Sequence, residues 1–355
     1  MSEADGARDA APVDPRDAAR ADTLAAAPAV PRPLDAFCCG LLFFDIVFTG
    51  MDSPPVPGAE VWAKGLGSGP GGIANFAVAL SRLGLRTGLA AAFGQDVYGE
   101  VCRRLLSDAE GVNLSRSRWF DGWPTPLTVA LPYHGDRALV THGQDPPLGQ
   151  DDLVGDPPAA RAVVVHLAPD PVRWLARAHA AGTLIFADVG WDQAQAWTTD
   201  LLEQLAFCHA FMPNAEEAMG YTRTDSPTRA LARLAELVPL AVVTCGRDGA
   251  IAVDGQTGEA ASVPGLAVDV VDTTGAGDVF GAGLVAATLA GRPLIERVRF
   301  AVLTAALSTQ RPGGAPAAPG WSQIAGWWRG TRTAGDAQLR RNYGFLDEVI
   351  PADEG

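Results

Sequence analysis

Short apolar runs alternate with alanine-rich segments of helical spacing from Pro33 to about residue 309. The apolar runs predict strands, and apolar positions at three- and four-residue spacing predict helices. Strands are predicted at 36–48, 87–93, 162–167, 183–188, 210–213 and 240–244. Helices are predicted at 73–83, 97–109, 171–181, 198–205, 215–219, 227–237 and 294–309. This alternation predicts an α/β fold with a mostly parallel sheet covered by helices on both faces.

One region breaks the alternation. The apolar runs 127–132 and 138–141 flank a short polar segment, which predicts a β-hairpin. Together with the segment from about 47 to 66, the stretch 120–143 is expected to form a small strand-built lid over one end of the sheet. We therefore expect one main domain over residues 34–317, followed by a C-terminal extension of unknown role at 318–355.

The bulk composition narrows the classes of function. The chain has 355 residues, of which 48% are apolar, so it can bury a large core. A formal net charge of −14 argues against nucleic acids and anionic membranes as partners. Lys64 is the only lysine, and without a Gly-Lys-Ser or Gly-Lys-Thr the chain has no P-loop. Phosphate chemistry here must use backbone N–H groups, arginine and Mg²⁺.

Terminal and cysteine patterns bear on the cellular compartment. Residues 1–33 are rich in Ala, Pro, Asp and Arg and contain no apolar signal-peptide core, which predicts a disordered tail. No apolar run reaches the roughly 18 residues of a membrane span. The five cysteines form no Cys-x-x-Cys pair, which favours reduced thiols in a cytoplasmic protein. The five histidines show no metal-ligand spacing and are expected at structural positions.

The segment 272–283 carries the strongest chemical signal. The apolar run 266–271 predicts a strand that leads into a glycine turn and a helix start. A helix start leaves N–H groups unpaired, so those of Ala276, Gly277 and Asp278 are expected to converge on a phosphate oxygen. Beside such an anion, Asp278 is best explained as a general base for an attacking alcohol. The alternative is an acidic residue that only favours the helix dipole.

Residues 272–278, Asp-Thr-Thr-Gly-Ala-Gly-Asp, resemble the second signature of the ribokinase-like (PfkB) family of carbohydrate and nucleoside kinases. The resemblance covers roughly residues 35–317. It implies a three-layer α/β/α fold with a mostly parallel central sheet and a small β-strand lid. It also implies that Gly275, Ala276 and Gly277 form an anion hole and that Asp278 is the catalytic base.

Residues 68–75, Ser-Gly-Pro-Gly-Gly-Ile-Ala-Asn, are similar to the first signature of that family. The similarity implies that Gly71, Gly72 and Asn75 bind the substrate. The family has three residues between the glycine pair and the Asn, and this chain has two, so Gly71 takes the second glycine position and the contacts stay open. An ordinary glycine turn is the alternative. Asp45 is expected at the carboxyl end of a strand, which faces the ligand crevice of an open sheet, and the resemblance implies that it binds sugar hydroxyls. A charge that only terminates the strand is the alternative.

Two further segments resemble nucleotide-binding motifs of the family. Asn214 and Glu217 match an Asn-x-x-Glu motif, which implies that Asn214 lies near the phosphates and that Glu217 holds Mg²⁺, mainly through water. The same spacing is typical of a capping box, and both roles are compatible. Thr244 and Gly246 resemble a phosphate loop, for which a tight turn is the alternative.

Several other positions have less definite roles. Asp272 and Thr274, with Ser308 and Gly314, stand where some relatives hold a monovalent cation such as K⁺, and a purely structural Asp272 is the alternative. Asp188 ends a predicted strand without an assigned role. Val302 stands where the family usually has an Asn on the adenine side.

These observations favour an ATP-dependent kinase that phosphorylates a hydroxyl of a small sugar-like substrate, with ATP and Mg²⁺ and with K⁺ left open. A nucleoside kinase of the same fold is one alternative, for which Trp62, Trp119 and Trp123 are candidate base-stacking groups. A catalytically silent ligand-binding paralogue is the other, motivated by the shortened glycine spacing. The sugar, the hydroxyl and the oligomeric state stay open, and an unpaired lid edge favours a homodimer through the lid.

Overall fold

The computed structural model describes residues 33–133, 136–190 and 196–352. The predicted disordered tail, apart from Pro33, therefore lies outside the described residues. Within those ranges, none of the helices combines the length and the hydrophobicity needed to cross a bilayer.

Eight of the described strands form the main sheet, in the order β14-β13-β12-β11-β10-β9-β1-β4. Its strands run parallel from β4 to β12, and β13 and β14 add an antiparallel edge. The described strands are β1 (Leu34–Cys39), β2 (Leu42–Thr49), β3 (Gly65–Gly72), β4 (Thr87–Ala90), β5 (Ala92–Gly94), β6 (Arg118–Phe120), β7 (Leu127–Tyr133), β8 (Asp136–His142), β9 (Ala160–Leu167), β10 (Leu184–Val189), β11 (Ala210–Phe211), β12 (Leu240–Thr244), β13 (Ala250–Asp254) and β14 (Ala260–Val263).

Helices cover both faces of the main sheet. One apolar layer joins α1, α7 and α8 to the sheet, and the other joins α4, α5 and α6 to its opposite face. The central strands are apolar at consecutive positions because both of their faces are buried. The described α-helices are α1 (Ile73–Arg82), α2 (Val97–Arg103), α3 (Gln150–Val154), α4 (Trp174–Ala180), α5 (Ala215–Thr222), α6 (Pro227–Leu234), α7 (Ala276–Leu289), α8 (Leu294–Ser308), α9 (Trp321–Ala334), α10 (Ala337–Tyr343) and α11 (Leu346–Val349).

The single strand predicted over 36–48 is wrong. The chain breaks at Gly40 and Leu41, so that β1 joins the main sheet and β2 joins a second sheet. Gly40 packs tightly at this break, because a Cβ there would lie 3.0 Å from Ile73 Cβ and 3.1 Å from His166 Nδ1. Asp45 consequently lies within β2 rather than at the carboxyl end of a main-sheet strand.

The second sheet has the order β3-β2-β7-β8. Strands β7 and β8 pair antiparallel, as the hairpin prediction requires, although residues 134 and 135 of the turn lie outside the described residues. One edge and part of one face are open to solvent, since Leu66 is 62% exposed and Val140 is 61% exposed.

The strand predicted at 266–271 is also wrong, because these residues form no ladder. Pro264 has no N–H to donate, and Gly265 packs against the backbone of Arg247, so the chain leaves the sheet directly after β14. The N–H groups of Val271 and Asp272 donate instead to the carbonyl oxygen of Thr309, 2.8 and 3.1 Å away. The end of α8 therefore holds the approach to the glycine turn.

The C-terminal residues form a helical layer against α8. Trp328, Tyr343 and Leu346 are buried in one cluster with Phe300 and Leu303 of α8. Two anchors connect this layer to the end of α1. The Arg82 guanidinium donates to the carbonyl oxygen atoms of Pro316 and Ala318, and the Trp321 indole N–H donates to the carbonyl oxygen of Leu83 at 3.0 Å.

Candidate active site

The glycine turn opens α7 in the way that the sequence predicts. Gly275 is the residue before the helix and has φ 72°, a left-handed conformation that glycine adopts without strain. Space is limited there as well, because a Cβ would lie 3.0 Å from Asn75 Cγ and 3.2 Å from Gly314 Cα. Gly277 is exposed and has open space where a Cβ would point. A ligand can therefore approach the turn at Gly277.

The first turn of α7 has unpaired N–H groups, but fewer than predicted. The N–H of Ala276 donates to the carbonyl oxygen of Thr273 at 3.2 Å, so it is already engaged. Gly277 and Asp278 lie in the first helical turn, where the helix itself supplies no carbonyl partner. Two amides and the positive end of the helix dipole are therefore available to the predicted anion.

Both carboxylate oxygens of Asp278 have polar neighbours. Asn75 Nδ2 donates to Oδ2 at 2.8 Å. His166 Nε2 lies 3.7 Å from Oδ1, which is an ion-pair distance, and the exposed fractions of the His166 and Asp278 side chains are 17% and 19%. A largely buried carboxylate, held in place beside an anion hole, is suited to general base catalysis.

Asp188 and Glu217 lie near this carboxylate. Asp188 on β10 lies opposite His166 on β9 in the parallel ladder, and one ligand atom each of His166, Asp188 and Asp278 lie within 4.8 Å of one another. Burial raises the pKa of Asp188, the charge of His166 lowers it and the charge of Asp278 raises it, with a net increase. Burial, followed by the charge of Asp188, likewise raises the pKa of Glu217.

The residues predicted to bind substrate lie around the same space. Gly314 connects them, because a Cβ on it would lie 3.0 Å from Asn75 Oδ1 and 3.7 Å from Asp45 Oδ2. Asp45 is 7% exposed and Asn75 is 3% exposed. Asn75 Oδ1 is buried and has no hydrogen-bond partner among the described residues. Since a buried acceptor is costly to leave unpaired, this oxygen is a candidate acceptor for a substrate hydroxyl.

Both residues of the predicted glycine pair have physical reasons to be glycine. A Cβ on Gly71 would overlap the Asp45 carboxylate, which lies directly against that position. Gly72 has φ 60°, and a Cβ there would collide with the carbonyl oxygen of Leu41. The glycines thus allow β2 and β3 to place Asp45 beside the first turn of α1.

At the Asn-x-x-Glu segment, the capping-box prediction is confirmed. Asn214 Oδ1 accepts from the Glu217 N–H at 3.0 Å, and Glu217 Oε2 accepts from the Asn214 N–H at 2.8 Å. Asn214 also forms a β-bridge with Thr244, so the two predicted nucleotide residues are neighbours. Gly246 follows with φ 55° and has no atom within 4 Å of its Cβ position.

Asp272 has a clear structural function. Its Oδ1 accepts from the N–H and the hydroxyl of Thr274, at 2.9 and 2.7 Å, and its Oδ2 accepts from the Gly313 N–H at 2.9 Å. The Ser308 hydroxyl donates to the carbonyl oxygen of Ala305. These contacts support the structural alternative for Asp272, whereas a monovalent cation stays a prediction.

Sequence reasoning missed His166. It is one histidine among five, and no local motif surrounds it. The available signal was its position near the carboxyl end of a buried strand, next to the strand that ends at Asp188, because such ends meet at one edge of a parallel sheet.

Comparison with known proteins agrees with this architecture. Residues 38–320 match the model of the pfkB family of carbohydrate kinases. An ATP-dependent ribose-1-phosphate kinase of Halopiger xanaduensis is 31% identical over 262 residues, which are 69% of this chain and 82% of that protein. A fructokinase of Klebsiella pneumoniae is 32% identical over 278 residues, 70% of this chain and 89% of its own length.

A solved structure shows the same fold. The Arabidopsis thaliana ribokinase complexed with ribose and ATP superposes with a TM-score of 0.68 at 26% identity, covering 81% of this chain and 96% of that one. The chain belongs to the pfkB family of carbohydrate kinases. This confirms the predicted ribokinase-like α/β fold and the predicted class of enzyme, an ATP-dependent kinase of a sugar-like substrate.

Proposed function

We propose that this enzyme transfers the γ-phosphoryl group of ATP to a hydroxyl of a small sugar, with Asp278 as general base. The observation that carries the proposal is the position of Asp278 in the first turn of α7, in contact with Asn75 and His166, while Asn75 also borders the space at Gly314 that Asp45 shares. Asp45 and Asn75 are the proposed partners of the sugar hydroxyls.

The reaction follows from these positions. Asp278 takes the proton of the acceptor hydroxyl while that oxygen attacks the γ-phosphorus and the bond to the β-phosphate oxygen breaks. The amides of Gly277 and Asp278 donate to the transferring group, and each such donor is worth about 10²- to 10³-fold in rate. Gly275 sets the turn so that these donors are in place before the substrate arrives.

The nucleotide is assigned to Asn214, Thr244 and Gly246. Glu217 is the proposed ligand of Mg²⁺, mainly through water. The support for this assignment is the type of ligand atom that Glu217 offers. Carboxylates are preferred Mg²⁺ ligands, and the buried Glu217 lies close enough to Asp188 for the charge of Asp188 to raise the pKa of Glu217. When bound, Mg²⁺ would offset the negative charge of the phosphates beside these acids. A K⁺ near Asp272 and Thr274 is part of the proposal only if turnover depends on monovalent cations.

The second sheet is the proposed lid, which would keep water from the phosphoryl group. Its exposed edge strand β8, with Leu139 53% and Val140 61% exposed, supports the proposed homodimer. A cytoplasmic location also stays part of the proposal.

A nucleoside acceptor is the second candidate. Trp119 is 37% exposed and stacks on Phe93, with ring centroids 5.0 Å apart and planes at 16°, so it offers an aromatic surface to a base. Trp123 is less suited, since it is 8% exposed and its indole N–H already donates to the carbonyl oxygen of Asp145.

The test measures ATP consumption with a panel of sugars, sugar phosphates and nucleosides. We expect turnover with a sugar and a loss of about 10³-fold or more in Asp278→Asn, within the range of general base catalysis. Asp225→Asn, which changes an exposed carboxylate paired with Arg229, is the matched control and should retain wild-type turnover. Turnover by Asp278→Asn equal to that of the control would refute the base assignment. Absence of turnover across the panel would favour the silent paralogue.

A further inference from the structure

His166 occupies a position in this site that the proposed reaction does not yet use. Its Nε2 points to Asp278 Oδ1 at 3.7 Å, and Nδ1 lies on the side of Gly40. The edge of the Phe76 ring packs against the imidazole, with centroids 5.8 Å apart at 68°. Gly40 and Phe76 therefore fix the plane of the imidazole.

The charged groups that act on the His166 imidazole are all carboxylates. Asp278, Asp188 and Glu217 all act on His166. Burial lowers the pKa of His166, but the interaction with Asp278 and the charges of Asp188 and Glu217 outweigh burial and raise it. The only lysine of the chain, Lys64, is elsewhere, on the surface in an ion pair with Asp52. An imidazolium at 166 thus opposes the negative charge that accumulates here.

We propose that His166 is a positioning residue for phosphoryl transfer, which acts by holding Asp278 Oδ1 while Asn75 holds Oδ2. The inference rests on the proposed role of Asp278 as base. With one oxygen held, a carboxylate still turns about its Cβ–Cγ bond, because that torsion is broad. With each oxygen in contact with a different side chain, its plane is set before the acceptor hydroxyl arrives.

This two-point hold has a kinetic consequence. Misplacing a base by about 1 Å lowers the rate by up to about 100-fold, but it does not weaken the binding of substrate. Loss of His166 should therefore lower kcat much more than it raises KM for either substrate.

Two substitutions separate positioning from packing. His166→Phe keeps an aromatic ring against Phe76 but removes the N–H group and the charge, and we expect roughly a 10- to 100-fold loss of kcat with KM changed by less than about threefold. His166→Gln keeps a donor of similar reach and should recover part of that loss. The melting temperatures of both variants are measured alongside. If His166→Phe does not fold, His166→Asn, whose amide is too short to reach Asp278, replaces it.

A double-mutant cycle tests the route through Asp278. In an Asp278→Asn background, His166→Phe should cause no further loss of kcat, because there is no base left to position. The inference would be overturned if His166→Phe kept the wild-type kcat, or if it lost the same factor in kcat in both backgrounds. In either case the proposed function would still stand, provided that Asp278→Asn alone is inactive. Full turnover by Asp278→Asn alone would refute the base and the positioning role together.

Discussion

Two aspartates lie on either side of one glycine turn, and their surroundings are opposite. Asp272, before the turn, accepts three hydrogen bonds from Thr274 and Gly313, so its charge is used within the backbone. Asp278, after the turn, accepts one from Asn75, and His166 Nε2 lies 3.7 Å from its other carboxylate oxygen. The first carboxylate holds a loop together, and the second has an oxygen atom for which no hydrogen-bond donor is found among the described residues.

A short motif thus combines a structural carboxylate with one that is proposed to react. Backbone N–H groups around Asp272 fix the path of the chain into α7, and side chains from α1 and β9 set Asp278 at the start of that helix. A variant that affects the contacts of Asp272 should therefore change mainly stability, and a variant that affects Asp278 should change mainly activity. A variant that affects the turn itself should change both.

Gly275→Ala acts on both sides and should have the largest effect. Alanine at φ 72° costs roughly 1–2 kcal/mol, and its Cβ would press on Asn75 and on the Gly314 backbone. We expect a lower melting temperature together with a loss of about 100-fold in kcat. Gly277→Ala is the matched control, since that position is open and helical, and its melting temperature should not fall. A fully active and stable Gly275→Ala would contradict the account of the turn.

Asp272→Ala should change stability more than chemistry. It leaves the N–H groups of Thr274 and Gly313 without their acceptor, at a cost of about 2–3 kcal/mol in the free energy of unfolding. Urea denaturation measures this cost, and Asp272→Asn, which keeps one acceptor oxygen, should lose less. A variant of unchanged stability that nevertheless requires added K⁺ for turnover would favour the cation-binding role instead.

Glu217 lies outside the turn, and its effect on stability should be modest and should depend on pH. Its folded-state pKa lies above the ordinary value of 4.5, so the native state retains a proton that the unfolded state loses. The free energy of unfolding should fall as pH rises from 4.5 towards neutrality, by at most about 1.4 kcal/mol per pH unit from this group. Glu217→Gln should flatten that slope when urea denaturation is followed without divalent metal. Parallel slopes in the two proteins would show that Glu217 stays ionised.

Much of the fold could be predicted from the sequence, because strands that are buried on both faces consist of consecutive apolar residues. Two errors have physical causes. The apolar runs on either side of Gly40 look like one strand, and the close packing that breaks them involves Ile73 and His166, which are distant in sequence. The run 266–271 has strand-like composition, but it has no paired neighbour and its valines 270 and 271 are 60% and 44% exposed.

The candidate site shows a similar division. Asp278 and its turn were predictable because a local motif contains both the proposed donors and the proposed base. His166 was not predictable, since its significance comes from its closeness to Asp188 and Asp278, which lie on other elements. The spacing of residues in a single sequence gives no information about such a contact. The structural bonds of Asp272 were likewise hidden, because one of its partners, Gly313, belongs to the segment after α8.

The anchors at the end of α1 have a practical meaning for anyone who wishes to modify this enzyme. That helix has 10 residues, with Asn75 in its first turn and Arg82 at its end. Deleting the chain beyond residue 317 would remove the Ala318 carbonyl and the Trp321 indole and would uncover Phe300 and Leu303. Shortened versions should therefore aggregate through the exposed apolar side chains and should have low activity. Affinity tags or fusion partners should be attached after residue 352, with the preceding helices retained.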